Sequence, residues 1–576
     1  MTISGGELLL DLFQAGGIEY IFCSPGTEWT PVWEGLLKRR ERGDASLHYI
    51  NCRDEVLAIS MAQGYAEVSG GLPAVLLHAG VGPLHGAMAM RNALSARVPM
   101  IIFGGETCEH CGDDDVRAQG FHWLGLLSDI GGPSAQVQGY VKWSNEVKSR
   151  DGLADSVYRG CQVTRSSPAG PVFVSVPIEL LLRSGTDTCR PCPAAAKVEP
   201  CLSDLQAVAR QLVHARRPVI IAENAGRDPV AVTSLVALAE VLGIPVFESS
   251  LPYTSSFPRN SPLYMGVNVA GALREADVVF VVDSVTPWYP PAAGPPDSAK
   301  VICLDEAPLH ERLPFWGYHV DTAITAPAAP ALEVLVDLVR RETAGVERPD
   351  YLKRRQYWQD QHDEMAAQLE REAMAGREKK PIAARWFLRA AAKSLPADSI
   401  LVDETIMHTR VVHAYLAEPG RYIKAAYGGL GVGMGEALGV KLARPDRPVV
   451  LMIGDGAFNY NPALAALGLG QEYGLPVLII IFDNGGYQAM KWGHQRLYPQ
   501  GIAMTRDVYL GVDITPAPDY IKIAAAFGAY GERLEDPGDI EAAIKRCLER
   551  TAGGNTALLD VALETAPPFA TPPPRV

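Results

Sequence analysis

The chain has 576 residues, of which 48% are hydrophobic and 20% charged, so it has the composition of a globular protein and the length of two to four domains. Its net charge of −14 argues against binding to nucleic acid or to an anionic membrane surface. No apolar run approaches the roughly 18–20 residues of a membrane helix, and ten scattered cysteines favour a reducing, cytoplasmic location.

The first part of the chain, predicted as a domain over residues 1–185, alternates helix-like and strand-like segments. The opening "MTISGGELLLDLFQAGG" lacks the basic start of a signal peptide and predicts an amphipathic helix. Strand-like runs follow in "AVLLHAG", "PMIIFGGE" and "PVFVSVP". Such alternation predicts an α/β fold with a parallel sheet.

Two cysteine pairs have the spacing of metal ligands, one within this domain and one in the linker that follows it. "CEHC" contains Cys108, His110 and Cys111, and "CRPC" contains Cys189 and Cys192. Four thiolates could bind zinc if folding brought the pairs together. We favour the alternative of unrelated loop cysteines, because the pairs lie far apart in the sequence.

A second α/β domain is predicted over residues 201–345, after the proline-rich linker "RSGTDTCRPCPAAAKVEP". Its strands include "ADVVFVVDS" and "AKVICLDE". The strand in "RRPVIIAENAG" is not followed by the G-x-G-x-x-G fingerprint of a dinucleotide site, so FAD is not supported. A helical segment with charges of both signs then leads to a third domain, predicted over residues 381–576.

The third domain contains the motif with the clearest chemical meaning, in "VVLMIGDGAFNYN". A short apolar run, predicted as a buried strand, ends at Gly454, Asp455 and Gly456. Glycines let a ligand approach the backbone, and open α/β sheets bind ligands at the carboxyl ends of strands. A helix that starts here and includes Ala457 would offer N–H groups to a diphosphate. The simpler alternative is a turn in which Asp455 caps a helix.

A second strand, in "LPVLIIIFDNGGY", ends in the same way at Asp483, Asn484, Gly485 and Gly486. Strand–helix–strand units are parallel, so both strands end at the same sheet edge and Asp455 can approach Asn484. A carboxylate, an amide oxygen and a glycine carbonyl are oxygen ligands that suit Mg²⁺. We therefore predict that Asp455, Asn484 and the Gly486 carbonyl bind a Mg²⁺ ion that holds a diphosphate.

This pair of motifs resembles the signature of the thiamine diphosphate-dependent enzymes, in which GDG is followed one helix and one strand later by an asparagine-containing turn. Where that family has two asparagines, this chain has Asp483 and Asn484. "YGGLGVGMGEALGVKLA" resembles the segment before GDG, in which an aliphatic residue lies beneath the cofactor; alternatively, its glycines simply allow helices to pack. The resemblance implies that the cofactor contacts Thr405, His408, Leu430, Gly454, Asp455, Gly456, Ala457, Asn484, Gly486 and Tyr487.

The family's cofactor also needs a carboxyl group at its aminopyrimidine ring. "NCRDEVLAISMAQGYAEVSG" in the first domain resembles the segment that supplies it, and Glu55 matches the glutamate. A helix would turn the neighbouring Asp54 about 100° away. An ordinary glutamate on a helix surface is the alternative.

Other matched segments imply residues near the substrate. His78, in "LLHAGVGPLHG", matches a histidine of benzoylformate decarboxylase-like members and could move protons at the reacting carbonyl. A hydrogen-bonded histidine at a strand end is the alternative, and nearby His85 is assigned to the helix surface. Thr27, in "FCSPGTE", matches a substrate-facing position. Met490 and Trp492 are weaker candidates that could equally pack a C-terminal helix.

The resemblance covers essentially the whole chain and implies a homodimer or homotetramer with active sites between subunits. It implies thiamine diphosphate- and Mg²⁺-dependent decarboxylation of a 2-oxo acid, with pyruvate as the favoured donor. An aldehyde is then released, which His78 favours, or a second carbonyl is attacked as in acetolactate synthase, which the general likeness favours. Hydrolysis of a C–C bond in a dione stays open. A non-catalytic regulatory protein that binds the cofactor also stays open as an alternative, although the intact Glu55, Asp455 and Asn484 speak against it.

Overall fold

A computed structural model gives the fold of most of the chain. It describes residues 2–106, 131–186, 189, 191–192, 198–249, 252–345, 349–425 and 428–565. Cys108, His110 and Cys111 lie outside these residues, so the zinc hypothesis stays a prediction, while Cys189 and Cys192 are half-buried. None of the described helices is both long and apolar enough to span a membrane.

The described strands are mostly short and buried. They are β1 Ile3–Ser4, β2 Tyr20–Cys23, β3 His48–Asn51, β4 Ala74–Leu77, β5 Ile101–Glu106, β6 Trp143–Glu146, β7 Val172–Pro177, β8 Ser184–Gly185, β9 Pro218–Ala222, β10 Val246–Glu248, β11 Val278–Val282, β12 Lys300–Asp305, β13 Thr322–Thr325, β14 Ile400–Glu404, β15 Tyr422–Lys424, β16 Val449–Gly454, β17 Leu478–Asp483, β18 Tyr530–Leu534 and β19 Ala557–Ala562.

The α-helices of the described residues alternate with these strands. They are α1 Gly5–Ala15, α2 Thr30–Glu41, α3 Glu55–Ser69, α4 Val81–Ser95, α5 Gly132–Val137, α6 Arg150–Arg165, α7 Ile178–Leu182, α8 Leu202–His214, α9 Pro229–Leu242, α10 Ala270–Leu273, α11 Ala328–Thr343, α12 Pro349–Ala375, α13 Ala384–Ser394, α14 Thr409–Leu416, α15 Gly433–Ala443, α16 Asp455–Tyr460, α17 Ala463–Glu472, α18 Gln488–Leu497, α19 Ile502–Arg506, α20 Tyr520–Ala526 and α21 Ile540–Ala552.

Three parallel sheets organise these elements. Their strand orders are β3-β2-β4-β5-β7-β6, β10-β9-β11-β12-β13 and β15-β14-β16-β17-β19-β18. Strands β1 and β8 form a separate antiparallel pair. The predicted class, α/β with three parallel-sheet domains, is therefore confirmed, while the predicted domain boundaries stay predictions.

The strand order reverses beside the strand that enters each sheet first, and in the first and third sheets it reverses again at the far edge. The second strand of each sheet in chain order pairs with one side of the first strand, and the third strand pairs with its other side. This reversal therefore falls between β2 and β4, between β9 and β11, and between β14 and β16. Loops that leave the carboxyl ends of the two strands diverge there and open a crevice. Thr27 and His78 follow the strands at the first reversal, and Thr405 and Asp455 follow those at the third.

The chain forms two compact units. The first comprises Met1–Lys197, Ala425–Val449 and Tyr460–Val477, and the second comprises Val198–Lys424, Val450–Asn459 and Leu478–Val576. The first unit contains the first sheet with helices α15 and α17, and the second contains the other two sheets.

Helix α1 shows how local sequence fixes the core of the first unit. Ser4 and Glu7 form a reciprocal capping box at its start. Leu9 and Phe13 are buried on its inner face, and the Phe13 ring lies 5.2 Å from that of Phe103 on β5. The predicted amphipathic N-terminal helix is thus present.

The glycine-rich segment before GDG packs closely on α3. A Cβ atom at Gly435 would overlap the Ser60 side chain, and one at Gly439 would overlap the Met61 carbonyl oxygen. Gly64 of α3 meets the backbone of α15 in the same way. These glycines therefore allow two helices to approach closely, which bears out the helix-packing alternative for this part of the segment.

We expect Gly439→Ala to destabilise the first unit by about 1–3 kcal/mol, because the added methyl group forces α3 and α15 apart. Scanning calorimetry should show a lower Tm. Gly493→Ala on α18 is the matched control, since its methyl group would meet nothing within 4 Å. Equal Tm values for the two variants would contradict the close packing.

Candidate active site

The GDG and DNGG motifs meet in the second unit. Strand β16 ends at Gly454, and α16 begins directly at Asp455, which is only 3% exposed. The Asp455 carboxylate accepts the Gly456 N–H at 2.7 Å and the Gly486 N–H at 2.9 Å. Because β16 and β17 are parallel neighbours, the two motifs come together as the sequence predicts.

Asn484 presents an oxygen that has no partner among the described residues. Its Oδ1 atom is buried and accepts no hydrogen bond, and a buried polar atom in that state is costly. The Gly486 carbonyl, the predicted third ligand, already accepts the Gln488 N–H at 3.0 Å; its second lone pair remains for a metal. The donor set of this turn therefore fits a cation.

The charges around this turn also favour a cation. The Arg533 guanidinium lies 2.8 Å from Asp483 Oδ2 and also contacts Asp560. Burial raises the pKa of Asp455 to about 6, and the charge of Asp483 adds to the rise. Burial likewise raises the pKa of Asp560 to about 6. Asp483 and Asp560 share the Arg533 guanidinium with Glu535, so a divalent cation beside Asp455 would balance the excess negative charge.

The loop after β14 carries the two other residues predicted at the diphosphate end. The Thr405 N–H and hydroxyl both donate to Asp403 Oδ1, at 2.9 and 2.7 Å. The His408 side chain is buried, and its Nε2 atom has no hydrogen-bond partner among the described residues. Burial lowers the pKa of His408 to about 4, so the imidazole is neutral at pH 7. Ile406 between them has a φ of +52°, which is strained for a β-branched residue.

The remaining predicted cofactor contacts are backbone and packing positions. Gly456 has no room for a side chain, because a Cβ atom would overlap the Tyr487 ring. Ala457 is buried in α16, and the Tyr487 N–H donates to the Val512 carbonyl at 2.8 Å. These contacts fix the backbone around Asp455.

The weaker substrate candidates lie on α18. Met490 is 58% exposed. Trp492 is half-buried and has the Arg496 guanidinium 5.5 Å from its ring centre. The substrate role of Met490 and Trp492 stays a prediction.

In the first unit, a carboxylate that the sequence analysis missed holds His78. Glu28 is fully buried, and both of its carboxylate oxygens lie 2.9 Å from His78 Nδ1. Glu28 Oε1 also accepts the Ala79 N–H at 2.7 Å. The hydrogen bond to Glu28 raises the pKa of His78, although 40% of the His78 side chain is exposed. Thr27, the predicted substrate contact, is exposed beside Glu28.

Glu55 begins α3 and is half-buried. Asp54, the preceding residue, caps the helix, and its carboxylate accepts the Leu57 N–H at 2.9 Å. The two neighbouring acids therefore have different roles. Glu55 Oε2 lies 2.7 Å from His85 Nδ1, and this hydrogen bond raises the pKa of His85. His85 is exposed, as predicted for a helix surface, but it also contacts the predicted acid.

Leu430 lies in the first unit and is half-buried. It stands between Gly429, where a Cβ atom would overlap the Met88 side chain, and Gly431, whose φ is +107°. The backbone at Leu430 is thus tightly constrained on both sides, and its position beneath a cofactor stays a prediction.

The crevice of the central sheet is filled by a side chain. Glu223 follows β9, and its carboxylate accepts the Ser284 hydroxyl at 2.8 Å and the Val285 N–H at 2.9 Å. It therefore bridges the loops after β9 and β11, where a dinucleotide phosphate would otherwise bind. A buried carboxylate at this point repels phosphate, and the expectation that FAD is not bound stays a prediction.

Three functional candidates were not found from the sequence: Glu28, Asp403 and Arg533. Glu28 follows directly after the candidate Thr27, but nothing in the spacing separates it from an ordinary glutamate at a helix start. Arg533 contacts Asp483 and Asp560 from a strand that is distant from both in the sequence. Asp403 contacts Thr405 from the charged end of β14. Strand-end position was the one available signal, because Asp403 is the penultimate residue of β14 and Arg533 is the penultimate residue of β18.

The fold and these motifs define a cofactor-dependent α/β enzyme. Three family descriptions match the chain: "Thiamine pyrophosphate enzyme, N-terminal TPP binding domain" over residues 3–115, the central domain over 205–335, and the C-terminal TPP binding domain over 406–561. The chain belongs to the thiamine pyrophosphate enzymes.

Similar proteins place the chain near two groups of that family. Benzoylformate decarboxylase of Pseudomonas aeruginosa is 26% identical, over 97% of this chain and 98% of that protein. The acetolactate synthase large subunit of Haemophilus influenzae is 23% identical, over 94% of this chain and 92% of that protein. The crystal structure of benzoylformate decarboxylase from Polynucleobacter necessarius has a TM-score of 0.79 at 19% identity, covering 98% of this chain and 100% of that one. That structure supports the fold.

We predict that Asn484→Leu weakens Mg²⁺ binding in the presence of thiamine diphosphate by roughly 10- to 100-fold, the range found for residues around protein metal sites. The leucine removes the one oxygen of this turn that has no partner. Isothermal titration of the protein with Mg²⁺ at fixed thiamine diphosphate measures the affinity.

Asp483→Asn is the matched control, because Asp483 is already engaged by Arg533. Its affinity for Mg²⁺ should stay within a few-fold of the wild type. Normal binding by Asn484→Leu together with loss of binding by Asp483→Asn would instead assign Asp483 as the ligand.

Proposed function

We propose that this chain is a thiamine diphosphate- and Mg²⁺-dependent 2-oxo acid decarboxylase, with pyruvate as the first donor to test. The product fragment is either released as an aldehyde or joined to a second carbonyl compound, as the name of the acetolactate synthase relative suggests. Family membership supports the cofactor, and the geometry of named residues supports the rest.

The second unit would hold the diphosphate end of the cofactor. Asp455, Asn484 and the Gly486 carbonyl would bind Mg²⁺, and the N–H groups at the start of α16 would face the diphosphate. The neutral His408 would donate a hydrogen bond to it through Nε2, and the Thr405 loop would contact it while the Thr405 N–H and hydroxyl stay bonded to Asp403. The unpartnered Asn484 Oδ1 and His408 Nε2 support this assignment, since each lacks a partner that such a ligand would supply.

The first unit would provide the acid. When bound, thiamine diphosphate supplies a nucleophilic carbon and an electron sink for the pair left behind as CO₂ departs. Glu55 would hold a proton at the aminopyrimidine ring nitrogen, with Leu430 beneath the cofactor. The family resemblance implies that the two halves of each active centre come from different subunits, so we propose a homodimer or homotetramer that is located in the cytoplasm and has no nucleic-acid partner.

One observation carries the decarboxylase assignment: His78 is a half-exposed histidine beside the crevice of the first sheet, held by a buried carboxylate and adjacent in space to the loop of Thr27. A histidine in this state can give a proton to a reacting carbonyl compound near neutral pH. An acid–base residue is needed to release an aldehyde, because the fragment left by decarboxylation must gain a proton.

The test is CO₂ release from a panel of aliphatic and aromatic 2-oxo acids, with thiamine diphosphate and Mg²⁺ present. We expect release from at least one acid. Glu55→Gln should lower the rate by roughly 10²–10⁴-fold, the usual contribution of a positioned acid–base group. The 2-oxo acid that is decarboxylated fastest then indicates whether the substrate pocket accepts an aliphatic or an aromatic side chain.

Asp54→Asn serves as the matched control, because Asp54 caps α3 and lies next to Glu55. Its rate should stay within a few-fold of the wild type at temperatures where it is folded. Cleavage of a dione without CO₂ release would reassign the chain to C–C bond hydrolysis, and cofactor binding without any turnover would favour a regulatory protein.

A further inference from the structure

Two cysteines that the proposed function does not use come together in the first unit. Cys161 is buried in α6, whereas Cys192 is half-buried and belongs to the segment predicted as a linker. Both carry a thiol. The sequence analysis considered Cys192 only as a metal ligand beside Cys189, so its contact with Cys161 gives it a different partner.

Contacts with two helices place both sulfur atoms in one gap. The Cys192 N–H donates to the Ala15 carbonyl at the end of α1, at 3.4 Å. The Cys192 thiol donates to the Tyr158 carbonyl, also at 3.4 Å, one turn before Cys161 on α6. A Cβ atom at Gly16 would lie only 3.0 Å from Cys161 Sγ. The end of α1 and the middle of α6 therefore enclose the two thiols.

A hydrogen bond joins the two side chains and acts oppositely on their acidity. Burial raises the pKa of Cys161 to about 12, and the charge of Cys192 and the hydrogen bond add to the rise. Burial also raises the pKa of Cys192, but the charge of Arg165 and the same hydrogen bond oppose that rise. The Arg165 guanidinium is held at this place by the Gly16 carbonyl, at 2.9 Å. Cys192 is therefore the thiol that ionises first, and its partial exposure admits a small oxidant.

We propose that Cys161 and Cys192 form a reversible disulfide when the protein meets a hydroperoxide, and that this bond fastens the linker to α6. The Cys192 thiolate attacks one peroxide oxygen and the O–O bond breaks. The Cys192 sulfur becomes a sulfenic acid, and the other oxygen takes up the proton that Cys192 lost and leaves as an alcohol or water.

The second step closes the bond. The Cys161 sulfur attacks the Cys192 sulfur, an S–S bond forms, the S–O bond breaks, and the hydroxyl leaves as water with the Cys161 proton. Two electrons have then passed from the two thiols to the hydroperoxide. A dithiol reduces the disulfide back to the two thiols by exchange.

The mobility needed for this reaction comes from the linker. Cys161 is fixed within α6, whereas Cys192 lies outside helices and strands, so it can cover the short remaining distance to an S–S bond of about 2 Å. The closed loop contains β7 and α7, and such a cross-link restricts the unfolded chain. In a reducing compartment a bond of this kind is transient and responds to oxidation.

Cys189 is the competing partner, because Cys189 and Cys192 form a C-x-x-C motif. Cys189 is also half-buried and packs against the same hydrophobic core. Apart from burial, however, the groups that act on its thiol are Asp11 and Arg39, and Cys161 is not among them. The contacts therefore favour Cys161 as the partner of Cys192.

The first experiment identifies the bond in the full-length protein. The reduced protein is treated with hydrogen peroxide, remaining thiols are blocked with N-ethylmaleimide, and tryptic peptides are analysed by mass spectrometry without reduction. Trypsin releases peptide 160–165 with Cys161 and peptide 184–197 with Cys189 and Cys192. We expect the two peptides to be linked, two hydrogen atoms lighter than their sum, and to separate after dithiothreitol.

The matched variants are Cys192→Ser, which should abolish the link, and Cys189→Ser, which should keep it. Both replace a half-buried cysteine of the same segment, so they differ in the partner lost. A link that survives in Cys192→Ser, or a bond within peptide 184–197 as the main product, would overturn the proposal. So would the absence of a link in wild type at a peroxide concentration that oxidises the exposed Cys201. Fragmentation of the linked wild-type peptides decides the same question if a variant does not fold.

The second experiment tests whether the bond fastens the linker. We expect the Tm of the oxidised protein to exceed that of the same sample after dithiothreitol by about 5 °C, because the cross-link restricts the unfolded chain. Comparison with the re-reduced sample cancels irreversible oxidation of other residues. Cys192→Ser should show no such difference. Equal Tm values for the linked and the re-reduced wild type would overturn the fastening role.

Discussion

The reversal of strand order in each parallel sheet is the constraint on which the rest of the structure depends. Adjacent loops diverge at the carboxyl ends of β2 and β4, of β9 and β11, and of β14 and β16, and each divergence leaves a crevice that the chain must fill or use. The first contains Glu28 and His78, the second is closed by Glu223, and the third contains Asp455 and Thr405. This topology accounts for the location of His78, Thr405 and Asp455, whereas Asn484 follows β17 and Glu55 begins α3 after β3.

Charge distinguishes the three crevices. At the third, Asp455, Asp483 and Asp560 outnumber Arg533, which suits a divalent cation and its diphosphate. At the second, Glu223 is satisfied by Ser284 and Val285, so no anion can enter without displacing a buried carboxylate. At the first crevice, the buried Glu28 carboxylate is paired with the His78 imidazole. The pair offers a hydrogen-bond donor and carries no net charge when His78 is protonated. The same backbone geometry therefore supports the proposed cation site, a side-chain bridge between two loops and the proposed acid–base site.

The sequence predicted the contacts that follow from strand direction and missed those that depend on tertiary packing. Asp455 and the Asn484 turn were expected to meet because parallel strands end at one edge, and the Gly486 N–H does bond to Asp455. The close packing of Gly435 and Gly439 was foreseen only as an alternative. The partnership of Glu28 with His78 could not be foreseen, because it spans two strands and requires glycine at position 105 on a third. Pattern and spacing locate strand ends, but they do not identify the side chains that meet across them.

The loop after β14 concentrates energetically costly features beside the proposed cofactor site. Ile406 is held at positive φ, and the buried His408 Nε2 and Asn484 Oδ1 atoms have no hydrogen-bond partner among the residues that the structure describes. Each of these features costs on the order of 1–3 kcal/mol in a folded protein. They occur at the ends of β14 and β17, on the sheet edge that carries Asp455, and not across the core of the sheet. A bound metal and diphosphate would give both polar atoms a partner, so the desolvation cost that the fold already carries at these atoms would favour binding of such a ligand.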